Sequence, residues 1–209
     1  LRRLAVFAGG WTLEAAEAVC AGDGIASEEV LELLVQLVNK SLVVAEDHGD
    51  EQRYRLLETL RQYGWEKLHE AGEEARLRDR HLAWYAALGH QGDPHTWGPN
   101  QLKWFERWDA EVDNLRAALA WSQTEVQPAD TTTAGERTDA GLRIGWAAVR
   151  FWDTRGFLSE GRRWLERALA EHPVVVLHGF GGQGKTTLAA AAGRWFHRTG
   201  RFPGGAAFI

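Results

Sequence analysis

The chain has 209 residues, 44% of them hydrophobic, and a formal net charge of −5 at pH 7. This length and composition suit one or two globular domains, and the mild charge gives no general attraction to nucleic acid or anionic lipid. Cys20 is the single cysteine, which excludes an internal disulfide, and no apolar run approaches the length that crosses a bilayer. We therefore expect a cytoplasmic protein that has no contact with a membrane.

Residues 1–72 show the order of elements that is typical of a winged helix. Residues 1–7 resemble the end of a helix, and Thr12 is an N-cap residue in front of an Ala-rich helical stretch. Ser27 caps a further helix, in which the apolar positions are Val30, Leu31, Leu34, Leu37 and Val38. Two strand-like runs and a last helix follow, at 42–45, 53–56 and 58–70. The sequence therefore predicts a winged helix whose wing is a two-stranded hairpin.

Residues 73–172 predict a helical region of the tetratricopeptide type. Two amphipathic patterns near its end form a helical hairpin, with Gly156 at the turn and Gly161 where the repeat needs a small residue. Residues 122–139 are polar and poor in apolar side chains, so we expect a flexible loop there. The tryptophans of this region are expected to pack between helices: Trp84, Trp104, Trp108, Trp146, Trp152 and Trp164.

Residues 173–209 predict the start of a P-loop NTPase domain, with a strand, a phosphate-binding loop and a helix, in a chain that is otherwise mainly α. The sequence GFGGQGKT matches G-x-x-x-x-G-K-[ST] at every fixed position. Its glycines let backbone N–H groups approach phosphate oxygens, Lys185 would reach the β- and γ-phosphates, and Thr186 would bind Mg²⁺. The predicted nucleotide-binding residues are Gly179, Gly181, Gly182, Gly184, Lys185, Thr186 and Thr187. The alternative is a glycine-rich turn without a function.

Hydrolysis is not expected from this loop alone. A P-loop enzyme needs an acidic residue on a neighbouring strand to hold Mg²⁺, and the chain contains no Asp or Glu after Glu171. A lone strand–loop–helix piece also offers too small a core to be stable by itself. We expect weak binding of ATP or ADP with Mg²⁺ and no turnover, and the sequence identifies no catalytic residue.

Several phrases of the sequence resemble bacterial STAND-type signalling ATPases, which are related to NB-ARC proteins and often described as LuxR-type transcriptional regulators. The resemblance extends from residue 1 to about residue 170 and is carried by RRLAVFAGGWTLEAAEAVC, LVNKSLVV, YRLLETLRQYGWEKL, EVDNLRAALAW and EGRRWLERALA. It implies a signal-transduction regulator in which ADP, held between an NTPase domain and the winged helix, keeps the protein closed. Residues 174–209 are similar to the start of that NTPase domain.

The order of these parts departs from the family, in which the NTPase domain comes first. The chain also starts at Leu1, contains no methionine and stops within a strand-like run. We therefore expect a fragment, a rearranged gene or a join of two pieces, and a fragment would contact the missing NTPase portion of its parent. Leu57 stands where NB-ARC relatives have the His that binds phosphate, so we expect Leu57 to pack in the core.

Three functions remain open at this point. The first is a piece of a nucleotide-binding regulator of transcription or signalling. The second is an interaction scaffold whose helical repeats bind a protein partner beside a vestigial P-loop. The third is DNA binding, which the sequence disfavours because the helix after Ser27 carries Glu28, Glu29 and Glu32, and DNA phosphates repel these carboxylates.

The remaining charged residues carry no pattern of their own. We expect five arginines to lie on solvated helix faces near glutamates: Arg2, Arg3, Arg76, Arg78 and Arg80. Four histidines show no metal-ligand spacing and are expected to have surface or packing roles: His69, His81, His90 and His95.

Overall fold

A computed structural model describes residues 1–48, 51–92, 95, 98–125 and 132–171. The chain divides into two compact units, Leu1–Ala168 and Leu169–Ile209. The described part of the first unit is mainly helical with a small antiparallel sheet, as the sequence predicted. None of the described helices is both long and apolar enough to cross a membrane.

The elements follow one another in the order of a winged helix and then of a helical region. A 3₁₀ helix at Arg2–Val6 precedes strand β1, and the strands are β1 (Trp11–Thr12), β2 (Val44–His48) and β3 (Glu51–Arg55). The α-helices are α1 (Leu13–Cys20), α2 (Ser27–Asn39), α3 (Glu58–Glu70), α4 (Glu74–Gly92), α5 (Gln101–Ser122), α6 (Ala134–Arg155) and α7 (Leu158–Glu171).

The sheet has three strands in the order β1–β3–β2, whereas the sequence predicted a two-stranded hairpin. In the hairpin, Val44 lies opposite Arg55 and His48 opposite Glu51. The additional strand, β1, places Trp11 opposite Tyr54. A strand of two residues is too short to show an alternating pattern, which is why the sequence did not reveal it.

Helix termini follow the local signals of the sequence in most places. Thr12 caps α1, since its Oγ1 atom accepts a hydrogen bond of 3.2 Å from the backbone N–H of Ala15. Helix α3 has the predicted bounds, 58–70. Helix α2 differs, because its N-cap is Ala26 rather than Ser27, and the Ala26 N–H donates to the carboxylate of Glu29 at 2.7 Å.

The winged helix is closed by a close approach of α3 to the 3₁₀ helix. Gly64 of α3 lies against Ala5, and a Cβ atom built on Gly64 would stand only 2.8 Å from the Cβ of Ala5. Phe7 stacks on Trp11 with 5.2 Å between the ring centroids, and both side chains are fully buried. Phe7 and Trp11 thus contribute a stacked aromatic pair to the core of the small domain.

In the helical region, α4 packs against α5 and α6. Trp108 of α5 is buried, and its ring centroid lies 5.7 Å from that of Phe151 on α6. Trp152 is buried too, and Gly161 of α7 faces its indole so closely that a Cβ atom would overlap it. Packing between helices is therefore confirmed for these two tryptophans, and Gly161 allows the close contact that the sequence predicted.

Part of the predicted flexible loop is helical. Residues 134–139 belong to α6, which begins with a capping box. Thr133 Oγ1 accepts from the Glu136 N–H at 3.2 Å, and the Glu136 carboxylate accepts from the Thr133 N–H at 2.8 Å. The sequence TAGE at residues 133–136 contains this capping-box pattern, although the polar composition of the segment predicted a loop. The helix ends as predicted at Gly156, whose φ of 80° is left-handed.

Two leucines with a predicted apolar role, Leu57 and Leu31, are exposed, and so is Leu102. Leu57, expected in the core, is 45% exposed and forms the N-cap position of α3. Leu31 of α2 is 44% exposed and Leu102 of α5 is 72% exposed. The core expectation for Leu57 was wrong, since the backbone ahead of α3 directs that side chain to solvent.

Candidate functional site at the winged-helix junction

The predicted phosphate-binding residues lie outside the described residues. These are Gly179, Gly181, Gly182, Gly184, Lys185, Thr186 and Thr187. The candidate site within the described part of the chain is the junction between the winged helix and helices α4 and α5.

A buried ion pair joins the wing to α5. Arg53 of β3 and Glu111 of α5 are 9% and 3% exposed, and the Arg53 Nη1 atom lies 2.6 Å from Oε1 of Glu111. The second terminal nitrogen of Arg53 donates to the carbonyls of Gly10 and Ala110, at 3.0 and 3.1 Å. The guanidinium group thus holds the segment before β1 and the helix α5 together.

Two more side chains complete this network. The Tyr85 hydroxyl donates to Oε2 of Glu111 at 2.7 Å, and the Asn114 Nδ2 atom donates to the same oxygen at 2.9 Å. Asn114 also donates to the Gly10 carbonyl at 2.7 Å and accepts from the Ala8 N–H at 2.9 Å. Burial, followed by the Glu111 charge, raises the pKa of Tyr85 well above its ordinary value, so the phenol remains a hydrogen-bond donor.

The network joins segments that lie far apart in the sequence. FAGGW supplies backbone groups, YRLLE follows Arg53, and EVDNLRAAL supplies Glu111 and Asn114. Both terminal nitrogens of Arg53 and both carboxylate oxygens of Glu111 have partners, which offsets the cost of removing two charges from water. The arrangement fixes the orientation of β3 and of the segment before β1 relative to α5.

A second buried network corrects the expectation for Arg3. This arginine is 6% exposed rather than solvated, and its Nη2 atom lies 2.8 Å from the carboxylate of Glu73. Its Nη1 atom donates to the carbonyl of Cys20 at 2.8 Å. Hydrogen bonds from Arg3 and Arg2 lower the pKa of Glu73 to about 2. Burial raises the pKa of the Cys20 thiol to about 12, so this thiol stays protonated.

His81 of α4 is buried between aromatic rings. It is 2% exposed, and its ring centroid lies 5.3 Å from Phe7 and 4.6 Å from Tyr85. Burial lowers the pKa of His81 to about 3, although a side-chain hydrogen bond with Asn114 acts to raise it, and the charge of Arg78 adds a smaller lowering. The packing role expected for this histidine is confirmed, but its Nε2 atom has no hydrogen-bond partner.

A cavity of about 210 Å³ lies beside this histidine. Its walls come from the 3₁₀ helix, α3, α4 and α5, so it opens between the winged helix and the helical region. Its lining residues are Val6, Ala8, Arg61, Trp65, Arg78, His81, Ala117 and Trp121.

The exposed face of α2 is acidic and apolar. Glu28, Leu31, Glu32 and Val35 recur at the spacing of one helix face and are all exposed. In a helix-turn-helix unit made of α1 and α2, this second helix would be the one that enters the DNA major groove. The helix itself contains no lysine or arginine, and Lys40 is its C-cap residue.

No three His, Cys, Asp or Glu side chains among the described residues are grouped to hold a metal ion. The sequence predicted a functional site at the P-loop and did not reveal the network at the junction of the winged helix with α4 and α5. Nothing in the sequence indicates that Arg53 and Glu111 form an ion pair, because each occurs in an ordinary amphipathic segment. Their role in joining the wing to α5 is visible only in the tertiary contact.

Residues 1–69 match the winged helix-turn-helix domain family. Over 170 residues the chain is 40% identical to a Mycobacterium tuberculosis protein and to a Mycobacterium bovis protein, each provisionally named an HTH-type transcriptional regulator. These alignments cover 81% of this chain, which spans 18% of the length of each relative. A 74-residue stretch is 47% identical to an uncharacterized M. tuberculosis protein, covering 35% of this chain and 19% of that protein. No solved structure matches the chain.

The buried charges of the junction give a direct test of its stability. Replacing Glu111→Gln leaves Arg53 buried without a counter-charge, so we expect the free energy of unfolding to fall by about 3 kcal/mol or more. Glu46→Gln removes the same charge from an exposed pair with Arg55, 2.7 Å apart, and is expected to cost less than about 1 kcal/mol. Urea unfolding measures both values, and equal losses would contradict a special role of the buried pair.

The neutral state of His81 predicts a pH dependence of stability. Below its ordinary pKa of 6.5 the unfolded chain binds a proton that the folded chain excludes until about pH 3. Stability is therefore lost as the pH falls through that window, by about 2 kcal/mol between about pH 7 and about pH 5.

The variant His81→Gln lacks this titration, so we expect the stability difference between wild type and variant to shrink over the same range. Urea unfolding of both proteins at the two pH values is the measurement. A difference that stays constant with pH would show that His81 is not buried in its neutral form.

Proposed function

We propose that the chain is part of a STAND-type, nucleotide-dependent regulator of transcription or signalling. In this proposal the winged helix and the helical region form one rigid unit that transmits the state of an NTPase domain to a protein partner. The buried contact of Arg53 with Glu111 is the observation that supports the proposal most directly. The names of the mycobacterial relatives agree with a regulatory role.

The junction suits a relay because it leaves little freedom between its parts. A displacement of α5 relative to the wing would break the hydrogen bonds to Glu111 and leave buried charges without a partner. This would cost several kcal/mol of free energy. A force on the winged helix would therefore move the helical region with it. The helical repeats and the exposed α2 face, with Leu31 and Val35, are the surfaces we propose for a protein partner.

Nucleotide binding is assigned to the P-loop sequence. The match of residues 179–186 to the phosphate-binding consensus supports ATP or ADP with Mg²⁺ as ligand. The lack of an acidic residue after Glu171 supports binding without hydrolysis by this chain.

The assignment predicts weak, saturable binding of a fluorescent ADP or ATP analogue to the purified chain. Lys185→Ala should abolish that binding, because the lysine supplies the positive charge on the phosphates. Lys67→Ala is the matched control, since Lys67 is paired with Glu70 on α3 and is expected to leave binding unchanged.

Fluorescence anisotropy, together with a phosphate-release assay, separates the outcomes. Binding that survives Lys185→Ala would reject the loop as the site. No binding by any of the three proteins would favour the interaction scaffold, whose helical repeats act without nucleotide. Phosphate release would contradict the proposed lack of hydrolysis.

DNA binding is a second candidate function, favoured by the match of residues 1–69 to a winged helix-turn-helix domain. We place it second because Glu28 and Glu32 lie on the exposed face of α2. Carboxylates there repel phosphates, and the face presents no arginine to read base edges.

This ranking predicts that the chain, at a concentration of about 1 µM, does not retard a random-sequence DNA duplex in a gel-shift assay at physiological salt. The double variant Glu28→Lys with Glu32→Lys should gain salt-dependent retardation. Glu66→Lys with Glu70→Lys places the same charges at the same spacing on α3, and should gain much less. Retardation of the duplex by the unmodified chain in a gel-shift assay would contradict the ranking.

A further inference from the structure

The cavity at the junction is lined by cationic and aromatic side chains. Two arginines, Arg61 of α3 and Arg78 of α4, line it, and none of its described lining residues is acidic. The indoles of Trp65 and Trp121 form further parts of the wall. Such a lining attracts an anion and shields it from water on the apolar side.

Arg78 is held in place by the two indoles. Its guanidinium carbon lies 5.1 Å from the ring centroid of Trp65 and 4.6 Å from that of Trp121. Its only ion-pair partner among the described residues is Glu74, at 3.3 Å from one terminal nitrogen. A guanidinium group has five N–H donors, so a stacked and positioned Arg78 retains donors for a ligand.

Arg61 completes the cationic side of the cavity. It forms two hydrogen bonds with the carboxylate of Glu58, at 2.9 and 2.8 Å, on the exposed surface of α3. The Arg61 side chain itself is 27% exposed, so it lies at the mouth of the cavity rather than within it. An anion inside would therefore have one fixed guanidinium at its side and one at the entrance.

His81, which packs on Phe7 and Tyr85, adds a buried nitrogen without a partner. Its side chain lines the cavity, is 2% exposed, and leaves Nε2 without a hydrogen-bond partner. A buried polar nitrogen without a partner costs free energy, and an oxyanion that accepts a hydrogen bond from the Nε2–H tautomer of His81 would recover it. This atom is independent of the two arginines as an indication of a ligand.

From these observations we infer that the cavity is a binding site for a small oxyanion, a phosphate or carboxylate group, contacted by Arg61, Arg78 and His81. Its volume of about 210 Å³ lies below the range of about 300–1,000 Å³ that drug-sized ligands occupy. The ligand is accordingly a small metabolite or the anionic end of a larger molecule. It would touch α3 of the winged helix and α4 of the helical region together, and so strengthen their junction.

The test is an NMR titration of the full chain, which follows the indole N–H signals of Trp65 and Trp121. Inorganic phosphate and acetate are the probes, and sodium chloride at matched ionic strength is the reference. We expect saturable shifts with at least one probe. Arg61→Gln and Arg78→Lys should each weaken binding by about tenfold or more, since each removes a charged or bidentate hydrogen bond.

Arg55→Gln is the matched control for Arg61→Gln, because Arg55 lies on the wing, pairs with the exposed Glu46 and does not line the cavity. Its affinity should equal that of the wild type. Shifts with phosphate alone would identify a phosphate ligand, and shifts with both probes a general oxyanion site. Equal shifts with sodium chloride, or unchanged affinity in both cavity variants, would overturn the assignment.

Discussion

The structure depends on a pair of opposite charges that has been removed from water. Arg53 and Glu111 come from different parts of the fold, and each would be costly to bury alone. Because Tyr85 and Asn114 satisfy the remaining carboxylate oxygen, the pair tolerates only one arrangement of the wing on α5. Hydrophobic packing drives the two regions together, while this hydrogen-bonded pair selects the orientation in which they meet.

Local signals in the sequence predicted much of this fold. Thr12 as a cap, α3 at 58–70 and Gly156 as the end of α6 follow from rules that involve neighbouring residues only. The burial of Arg3 could not be predicted in this way, because its partner Glu73 is distant in sequence and joins it only after folding. Strand β1 was missed because its two residues show no alternating pattern, and its backbone partners are supplied by the distant β3.

The candidate sites also differ in whether a local sequence pattern or only the folded structure indicates them. A phosphate-binding loop is a contiguous motif, so the sequence alone predicts residues 179–187 as a site, and this prediction falls outside the described residues. The junction cavity draws its walls from the 3₁₀ helix and three α-helices, and nothing in any one of them indicates a ligand. The acidic face of α2 is intermediate, because helical periodicity predicts that Glu28 and Glu32 share a side, whereas the exposure of Val35 beside them required the structure.

The chemistry of Cys20 has a practical consequence. Its thiol is buried, and its high pKa keeps the reactive thiolate scarce at neutral pH. Since the chain has no second cysteine, one introduced on the surface would react with a maleimide dye or nitroxide almost without background. This chain can therefore be labelled for spectroscopy at an introduced surface cysteine without first replacing Cys20.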